Sequence, residues 1–126
     1  MNATVLLIDE AQLECKINEW TLTHAGYNVV VATTADEGLR LAQDKPPDII
    51  VLDSLAADAK GRQILSALKD NPLTTRIPVL VLFRKGQLAT ERFKSAGAAE
   101  IMDKEQAAED GGLLLNTVEG LLHPVV

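Results

Sequence analysis

Four consecutive large apolar residues lie between two acids in the segment Asp48-Ile49-Ile50-Val51-Leu52-Asp53. Apolar and polar residues do not alternate in this run. Such a run is typical of a central strand of a parallel sheet, because helices cover both of its faces. Ligands of open α/β sheets bind at the carboxyl ends of the strands. Asp53 is therefore either a residue that only terminates a strand or a carboxylate with a chemical role.

Four other short apolar runs also predict strands, at Val5–Ile8, Val29–Ala32, Val79–Phe83 and Ala99–Met102. Helical patterns separate and follow them, and we expect helices at Glu10–Ala25, from Thr34 up to Pro46-Pro47, at Arg62–Asp70, at Gln87–Ala96 and after Gly111-Gly112. Strand and helix thus alternate five times with short connections, which indicates an α/β fold. We predict a flavodoxin-like, doubly wound (βα)5 domain spanning residues 1–126. Its five-stranded parallel sheet has the order 2-1-3-4-5, with helices on both faces and no output domain in this chain.

The predicted helices have recognisable faces and ends. Leu13, Ile17 and Trp20 share helical spacing in the first helix, and Gly26 follows in the position of a C-terminal cap. Thr34 and Glu37 fit a capping box, in which the two side chains satisfy free backbone N–H groups. In the fourth helix, Leu88 and Phe93 are the expected buried anchors, and Gly97 ends the helix. We expect Gly111-Gly112 to delay the start of the last helix.

The composition limits the function classes. The net charge of −6 argues against direct binding to nucleic acid, which needs a basic face. Cys15 is the only cysteine, so no internal disulfide can form and a reducing, cytoplasmic location is expected. No signal-peptide pattern or membrane-length apolar run is present, so we expect no membrane partner.

Acidic residues follow two strands that the predicted strand order makes neighbours. Asp9 and Glu10 end the first strand and Asp53 ends the third, while Lys104 follows the fifth. Three converging carboxylates repel one another unless a cation joins them, and oxygen ligands of this kind suit Mg²⁺. A carboxylate nucleophile beside Mg²⁺ and a lysine can accept a phosphoryl group. The simpler alternative is that each aspartate only forms a turn or caps a helix.

Over essentially its whole length the chain resembles the receiver domain of two-component response regulators. The resemblance is carried by Val5–Glu10, Gly26-Tyr27, Pro47–Asp53, Gly61, Ile77-Pro78-Val79, Ala96-Gly97-Ala98 and Lys104. It implies that a histidine kinase or phosphotransfer protein phosphorylates Asp53. It also implies that Asp9, Glu10, Asp53 and the backbone carbonyl of Leu55 bind Mg²⁺, and that Lys104 contacts the phosphoryl group. Downstream protein targets would then bind the face formed by the fourth helix, the fifth strand and the fifth helix.

Three positions of the family's switch are altered. Phe83 stands where the family usually has Ser or Thr, Ile101 where it usually has an aromatic residue, and Glu105 where a cis-proline follows the lysine. A cis bond before a residue other than proline costs about 2.5–4 kcal/mol, so we expect a trans Lys104-Glu105 peptide and a displaced Lys104. Arg84 stands where the family usually has a small residue, and it either supplies positive charge to the site or narrows the approach to Asp53. These changes predict a site that can bind metal but has an impaired or altered switch.

Two functions are therefore compatible with the sequence. The first is a phosphoryl-accepting signalling domain, which is not an enzyme. The second is a pseudo-receiver that binds protein partners without phosphorylation. A Phe83 ring lying over Asp53 favours the second, and a ring turned into the core favours the first. A flavin-binding protein is disfavoured because Asp9 and Glu10 would repel a phosphate. An aspartate-based phosphatase is disfavoured because Leu55 stands where a second acid is required.

Overall fold

The computed structural model describes residues 2–53, 58–84 and 90–124. In these ranges the chain forms five strands and six helices, which in chain order are β1 (Thr4–Ile8), α1 (Gln12–His24), β2 (Asn28–Ala32), α2 (Ala35–Asp44), β3 (Ile49–Asp53), α3 (Asp58–Asp70), β4 (Val79–Phe83), α4 (Thr90–Ser95), β5 (Glu100–Asp103), α5 (Lys104–Glu109) and α6 (Gly111–Leu122). None of the described helices is long and apolar enough to cross a membrane.

The strands form one parallel sheet in the order β2-β1-β3-β4-β5. All five residues of β3 are buried, as expected for a central strand with both faces covered. Ile8 of β1 is in register with Leu52 of β3, so both strands end at the same level of the sheet. The predicted doubly wound fold and its strand order are confirmed.

Two apolar clusters cover opposite faces of the sheet. One cluster joins alternate strand residues to α2, α3 and α4, and its largest member is the fully buried Phe93. The other cluster joins the remaining strand residues to α1, α5 and α6, through residues such as Leu22 and Leu114. The helices therefore lie on both faces, and Phe93 is the buried anchor that its spacing predicted.

Glycine is required where α2 crosses β1. A Cβ atom added to Gly38 would lie 2.6 Å from Cδ1 of Ile8, well inside van der Waals contact. Gly38 is buried, and its missing side chain lets the helix backbone approach the strand that leads to Asp9. A larger residue there would force either the Ile8 side chain or α2 to shift.

The predicted face of α1 was wrong. Leu13 and Trp20 are 71% and 62% exposed, and Ile17 is also exposed. The buried residues of α1 are Cys15, Asn18 and Leu22, on the opposite side of the helix. Small and polar residues thus form much of the face that packs against α5 and α6, so the apolar spacing identified the outer face.

Several boundaries differ from the prediction. Helix α3 begins at Asp58, before the predicted start at Arg62, and β5 lies one residue later than expected. The described part of the fourth helix begins at Thr90, and the predicted anchor Leu88 lies outside the described residues. Gly111-Gly112 does not delay the last helix, because α6 begins at Gly111 with Asp110 as its N-cap. The short helix α5 was not predicted.

The predicted helix ends are largely confirmed. Gly26 and Gly97 have positive φ angles of 101° and 114°, which glycine adopts without strain. The Thr34 hydroxyl accepts a hydrogen bond from the Glu37 N–H. The Glu37 carboxylate accepts its bond from the N–H of Thr33, one residue before the position that the capping box predicts.

Candidate functional site

Asp9 and Asp53 lie side by side at the carboxyl edge of the sheet. Asp9 follows β1 and Asp53 ends the neighbouring strand β3, and each residue is only 1% exposed. The N–H of Asp9 donates to the carbonyl of Ala32, which continues the sheet pairing past β1. One oxygen of Asp9, Oδ1, accepts a hydrogen bond of 2.8 Å from the N–H of Ala11. Backbone hydrogen bonds thus hold Asp9 in place independently of any ion pair.

Lys104 joins the two acids. Its Nζ atom donates to Oδ1 of Asp9 at 2.8 Å and lies 2.9 Å from Oδ2 of Asp53. The described residues contain no cis peptide bond, and Lys104 nevertheless reaches both carboxylates. The predicted displacement of Lys104 is therefore wrong.

Helix α5 sets the position of Lys104. Lys104 is its first residue, and Oδ1 of the preceding Asp103 accepts a hydrogen bond of 3.0 Å from the N–H of Gln106. Ala107, buried one turn later, fixes the helix against the apolar cluster. The sequence signal was present, because an N-cap residue followed three positions later by Glu or Gln is a sign of a helix start.

A second cation lies near Asp53. Nη2 of Arg84 is 4.0 Å from Oδ2 of Asp53, and the Arg84 side chain is 48% exposed. Arg84 comes directly after β4, the strand beside β3. Of the two roles considered for Arg84, the supply of charge is the one that this contact supports.

Burial and ion pairing act against each other at Asp9. Burial raises the pKa of Asp9 above its usual value, while hydrogen bonds from Lys104 and Ala11 act to lower it. Oδ2 of Asp9 and Oδ1 of Asp53 are buried without a hydrogen-bond partner among the described residues. Because an unsatisfied buried carboxylate oxygen is costly, these two atoms are suited to bind a cation or a donor group.

The predicted metal ligands are only partly brought together. Glu10 is exposed, and in residues 2–53, 58–84 and 90–124 no three acidic, histidine or cysteine side chains are placed to hold a metal ion. The expected convergence of three carboxylates is thus reduced to Asp9 and Asp53. Leu55, whose carbonyl was the fourth expected ligand, lies outside the described residues. The buried free oxygens of Asp9 and Asp53 fit Mg²⁺, which needs only one or two carboxylates and keeps several waters.

Two of the three altered positions, Phe83 and Ile101, lie in the neighbouring strands β4 and β5. Phe83 ends β4 opposite Asp103 and is half-buried, and Ile101 packs against an apolar cluster. Both residues line a groove of about 590 Å³ between β5 and α6. Phe83 therefore belongs to this groove, and it is not a member of either apolar cluster. Glu105 is exposed in the first turn of α5.

Cys15 lies near the site without chemistry of its own. It is buried, and burial raises the pKa of its thiol to about 11, with the charges of Asp9 and Glu19 acting in the same direction. Because the thiolate is the reactive form, this cysteine is expected to be inert at neutral pH.

Comparison with known sequences gives a consistent match. The family model of the response regulator receiver domain matches residues 5–115. Protein PilH of Pseudomonas aeruginosa is 26% identical over 121 residues, which cover 95% of this chain and 98% of that protein. The alkaline phosphatase synthesis transcriptional regulatory protein PhoP of Bacillus subtilis is 29% identical over 87 residues. These residues cover 69% of this chain but only 35% of PhoP.

Solved structures share the fold. A putative response regulator from Chloroflexus aurantiacus superposes with a TM-score of 0.88 at 26% identity, covering 97% of this chain and 98% of the other. The chemotaxis response regulator CheY4 of Vibrio cholerae gives a TM-score of 0.84 at 24% identity, covering 96% of this chain and 99% of the other. The second likeness concerns the fold alone.

Proposed function

Because the chain belongs to the family of response regulator receiver domains, we propose that it accepts a phosphoryl group on Asp53. The observation that carries this proposal is the contact of Lys104 with Asp53 at 2.9 Å in a buried setting. A carboxylate at the end of a central strand, with a fixed ammonium group beside it, has the parts that phosphoryl transfer requires.

The proposed step is a nucleophilic substitution at phosphorus. A carboxylate oxygen of Asp53 attacks the phosphorus of a phosphohistidine, and the bond between phosphorus and the histidine nitrogen breaks. The electron pair stays on that nitrogen. Lys104 holds the Asp53 carboxylate in place and offsets the negative charge that develops on the phosphoryl oxygens. This electrostatic stabilisation is stronger in a buried site than in water.

We propose Mg²⁺ as the cofactor, held by Asp9 and Asp53 with Glu10 and the Leu55 carbonyl as further ligands. The support is the pair of buried carboxylate oxygens, Oδ2 of Asp9 and Oδ1 of Asp53, that have no partner among the described residues. When bound, the metal supplies positive charge to the phosphoryl oxygens.

We further propose a cytoplasmic signalling module rather than an enzyme. A histidine kinase or phosphotransfer protein would be its donor. Its downstream target would bind the face of α4, β5 and α6, where the groove lined by Phe83 and Ile101 lies. No direct contact with nucleic acid or a membrane is proposed, in line with the acidic net charge.

Phosphorylation with a small donor tests this proposal. The protein is incubated with Mg²⁺ and acetyl phosphate, and its intact mass is measured. We expect one phosphoryl adduct, absent in Asp53→Asn and strongly reduced when Mg²⁺ is chelated. No adduct on the wild-type protein, or an adduct that persists in Asp53→Asn, would contradict it.

One observation favours the pseudo-receiver. Lys104 already forms ion pairs with both acids, so the charge of the site is largely balanced without a phosphoryl group. If this state is the working one, the wild-type protein and Asp53→Asn will bind the same protein partners with equal affinity. A partner that binds more tightly after treatment with acetyl phosphate supports the phosphoryl-accepting function.

A further inference from the structure

We infer that Arg84 is a catalytic residue that binds the phosphoryl group while it is transferred to Asp53 and afterwards. This inference rests on the proposed function and adds a residue to it. Nη2 of Arg84 lies 4.0 Å from Oδ2 of Asp53, the same oxygen that Lys104 contacts.

Lys104 and Arg84 lie on different sides of Asp53 and differ in solvent exposure. The Lys104 side chain is 3% exposed and reaches Asp53 from within the protein. The Arg84 side chain is about half exposed and reaches it from the solvent side. A phosphoryl donor cannot pass through the core, so it approaches Asp53 from the side where the Arg84 guanidinium lies.

Phosphorylation moves the charge toward Arg84. The carboxylate of Asp53 loses its negative charge when it forms the acyl phosphate, and the phosphoryl group brings about two negative charges. Lys104 remains bound to Asp9 at 2.8 Å, which limits how far its ammonium group can follow. Arg84 is the cation on the side where the phosphoryl oxygens extend.

The distance leaves room for this role. Charge-assisted hydrogen bonds of arginine are about 2.7–2.9 Å long, so the 4.0 Å between Nη2 of Arg84 and Oδ2 of Asp53 is an ion pair without a hydrogen bond. A phosphoryl group on Asp53 places its oxygens between the carboxylate and the guanidinium. The planar guanidinium can then donate two parallel hydrogen bonds, which lysine cannot do with the same geometry.

The test compares phosphorylation rates of wild type, Arg84→Gln, Arg84→Lys and Arg76→Gln. Arg76 is exposed in the turn before β4, so Arg76→Gln makes the same charge change away from Asp53. Acetyl phosphate with Mg²⁺ is the donor, and the rate of adduct formation is followed by intact mass. Decay of the adduct after donor removal and the affinity for beryllofluoride, a phosphoryl mimic, are measured in parallel.

We expect Arg84→Gln to be phosphorylated about tenfold more slowly, which is less than the roughly 100-fold loss typical of a buried donor because Arg84 is half exposed. Arg84→Lys should fall between Arg84→Gln and wild type, and Arg76→Gln should match wild type. Beryllofluoride should bind about tenfold more weakly to Arg84→Gln, by the same argument.

The inference is overturned if Arg84→Gln reacts within twofold of wild type, or if Arg76→Gln slows equally. Far-ultraviolet circular dichroism establishes that the variants are folded. If Arg84→Gln does not fold, Arg84→Lys decides, since an unchanged rate refutes the role and a slower rate supports it. A wild-type protein that forms no adduct on Asp53 refutes the proposed function as well, whereas an adduct of equal rate in Arg84→Gln refutes only the role of Arg84.

Discussion

Replacing Lys104 with methionine should destabilise the protein strongly. The substitution keeps a long side chain but removes the ammonium group from between Asp9 and Asp53, at 2.8 and 2.9 Å. Two buried carboxylates are then left without their shared cation. Removing one partner of a buried ion pair typically costs about 3–5 kcal/mol, so we expect a loss of that size at pH 7. With a urea m value of about 2 kcal/mol/M, the unfolding midpoint falls by about 2 M.

The loss of stability caused by Lys104→Met should depend on pH, and this dependence identifies the lost ion pair as its cause. Burial already raises the pKa of Asp9, so the folded protein holds this proton more tightly than the unfolded chain does. Stability from this group therefore falls as pH rises from the unfolded pKa, near 3.8, through the raised folded pKa. Without Lys104 the pKa of Asp9 rises further, and the destabilisation of Lys104→Met should shrink in acid, where the Asp9 carboxyl is neutral.

A matched control is available in Lys69. Its Nζ atom donates to the carbonyls of Thr75 and Ile77, and the side chain is half-buried. Lys69→Met removes an ammonium group but leaves no carboxylate unpaired, so its cost should not depend on the protonation of an acid. Urea unfolding at pH 7 and pH 4, followed by circular dichroism, gives both quantities. A loss below about 1 kcal/mol for Lys104→Met, the size of an exposed ion pair, or a loss equal at both pH values, would refute the reasoning.

Three further outcomes are expected. Trp20→Ala, on the exposed face of α1, should change the free energy of unfolding by less than about 0.5 kcal/mol, whereas Leu22→Ala on the buried face should cost about 2–5 kcal/mol in urea unfolding. Asp103→Ala and Asp110→Ala each remove an N-cap hydrogen bond and should each cost about 1 kcal/mol, while Asp103→Asn retains most of the stability. Cys15, with its pKa raised from 9.0 to about 11, should react with iodoacetamide at pH 8 about 100-fold more slowly than in the urea-unfolded chain; equal rates would contradict its burial.

The sheet was predictable because burial leaves a direct mark on a strand. The uninterrupted apolar run of β3 predicted a buried strand, and all of its residues are buried. Gly26 and Gly97 were predicted at helix ends, and both have the positive φ angles that suit glycine. Helix α1 shows the limit of this reasoning. Its buried face contains Asn18 and Cys15, so the more hydrophobic face is the exposed one, and only tertiary packing decides between them.

The site was predictable in part for a related reason. Parallel strands that end in acids bring those acids to one edge, which places Asp9 beside Asp53. Glu10 follows Asp9 directly, but sequence spacing does not determine which way a residue in a loop turns, and Glu10 is exposed. The position of Lys104 depends on helix α5, whose capping signal at Asp103 and Gln106 is visible in the sequence. The missing cis-proline suggested a displaced lysine, and the helix cap supplies another way to hold it.

The link from Lys104 to Asp9 has a consequence for the order of folding. The two residues are 95 positions apart in a chain of 126, so their contact closes most of the chain into one loop. We therefore predict that this contact forms late in folding, because the entropy of closing so long a loop opposes it. Until β5 pairs with β4, Asp9 and Asp53 lie at the ends of adjoining strands without the lysine between them. The last strand in the sequence therefore both completes the sheet and neutralises its acidic edge, which couples the readiness of the site to the completion of folding.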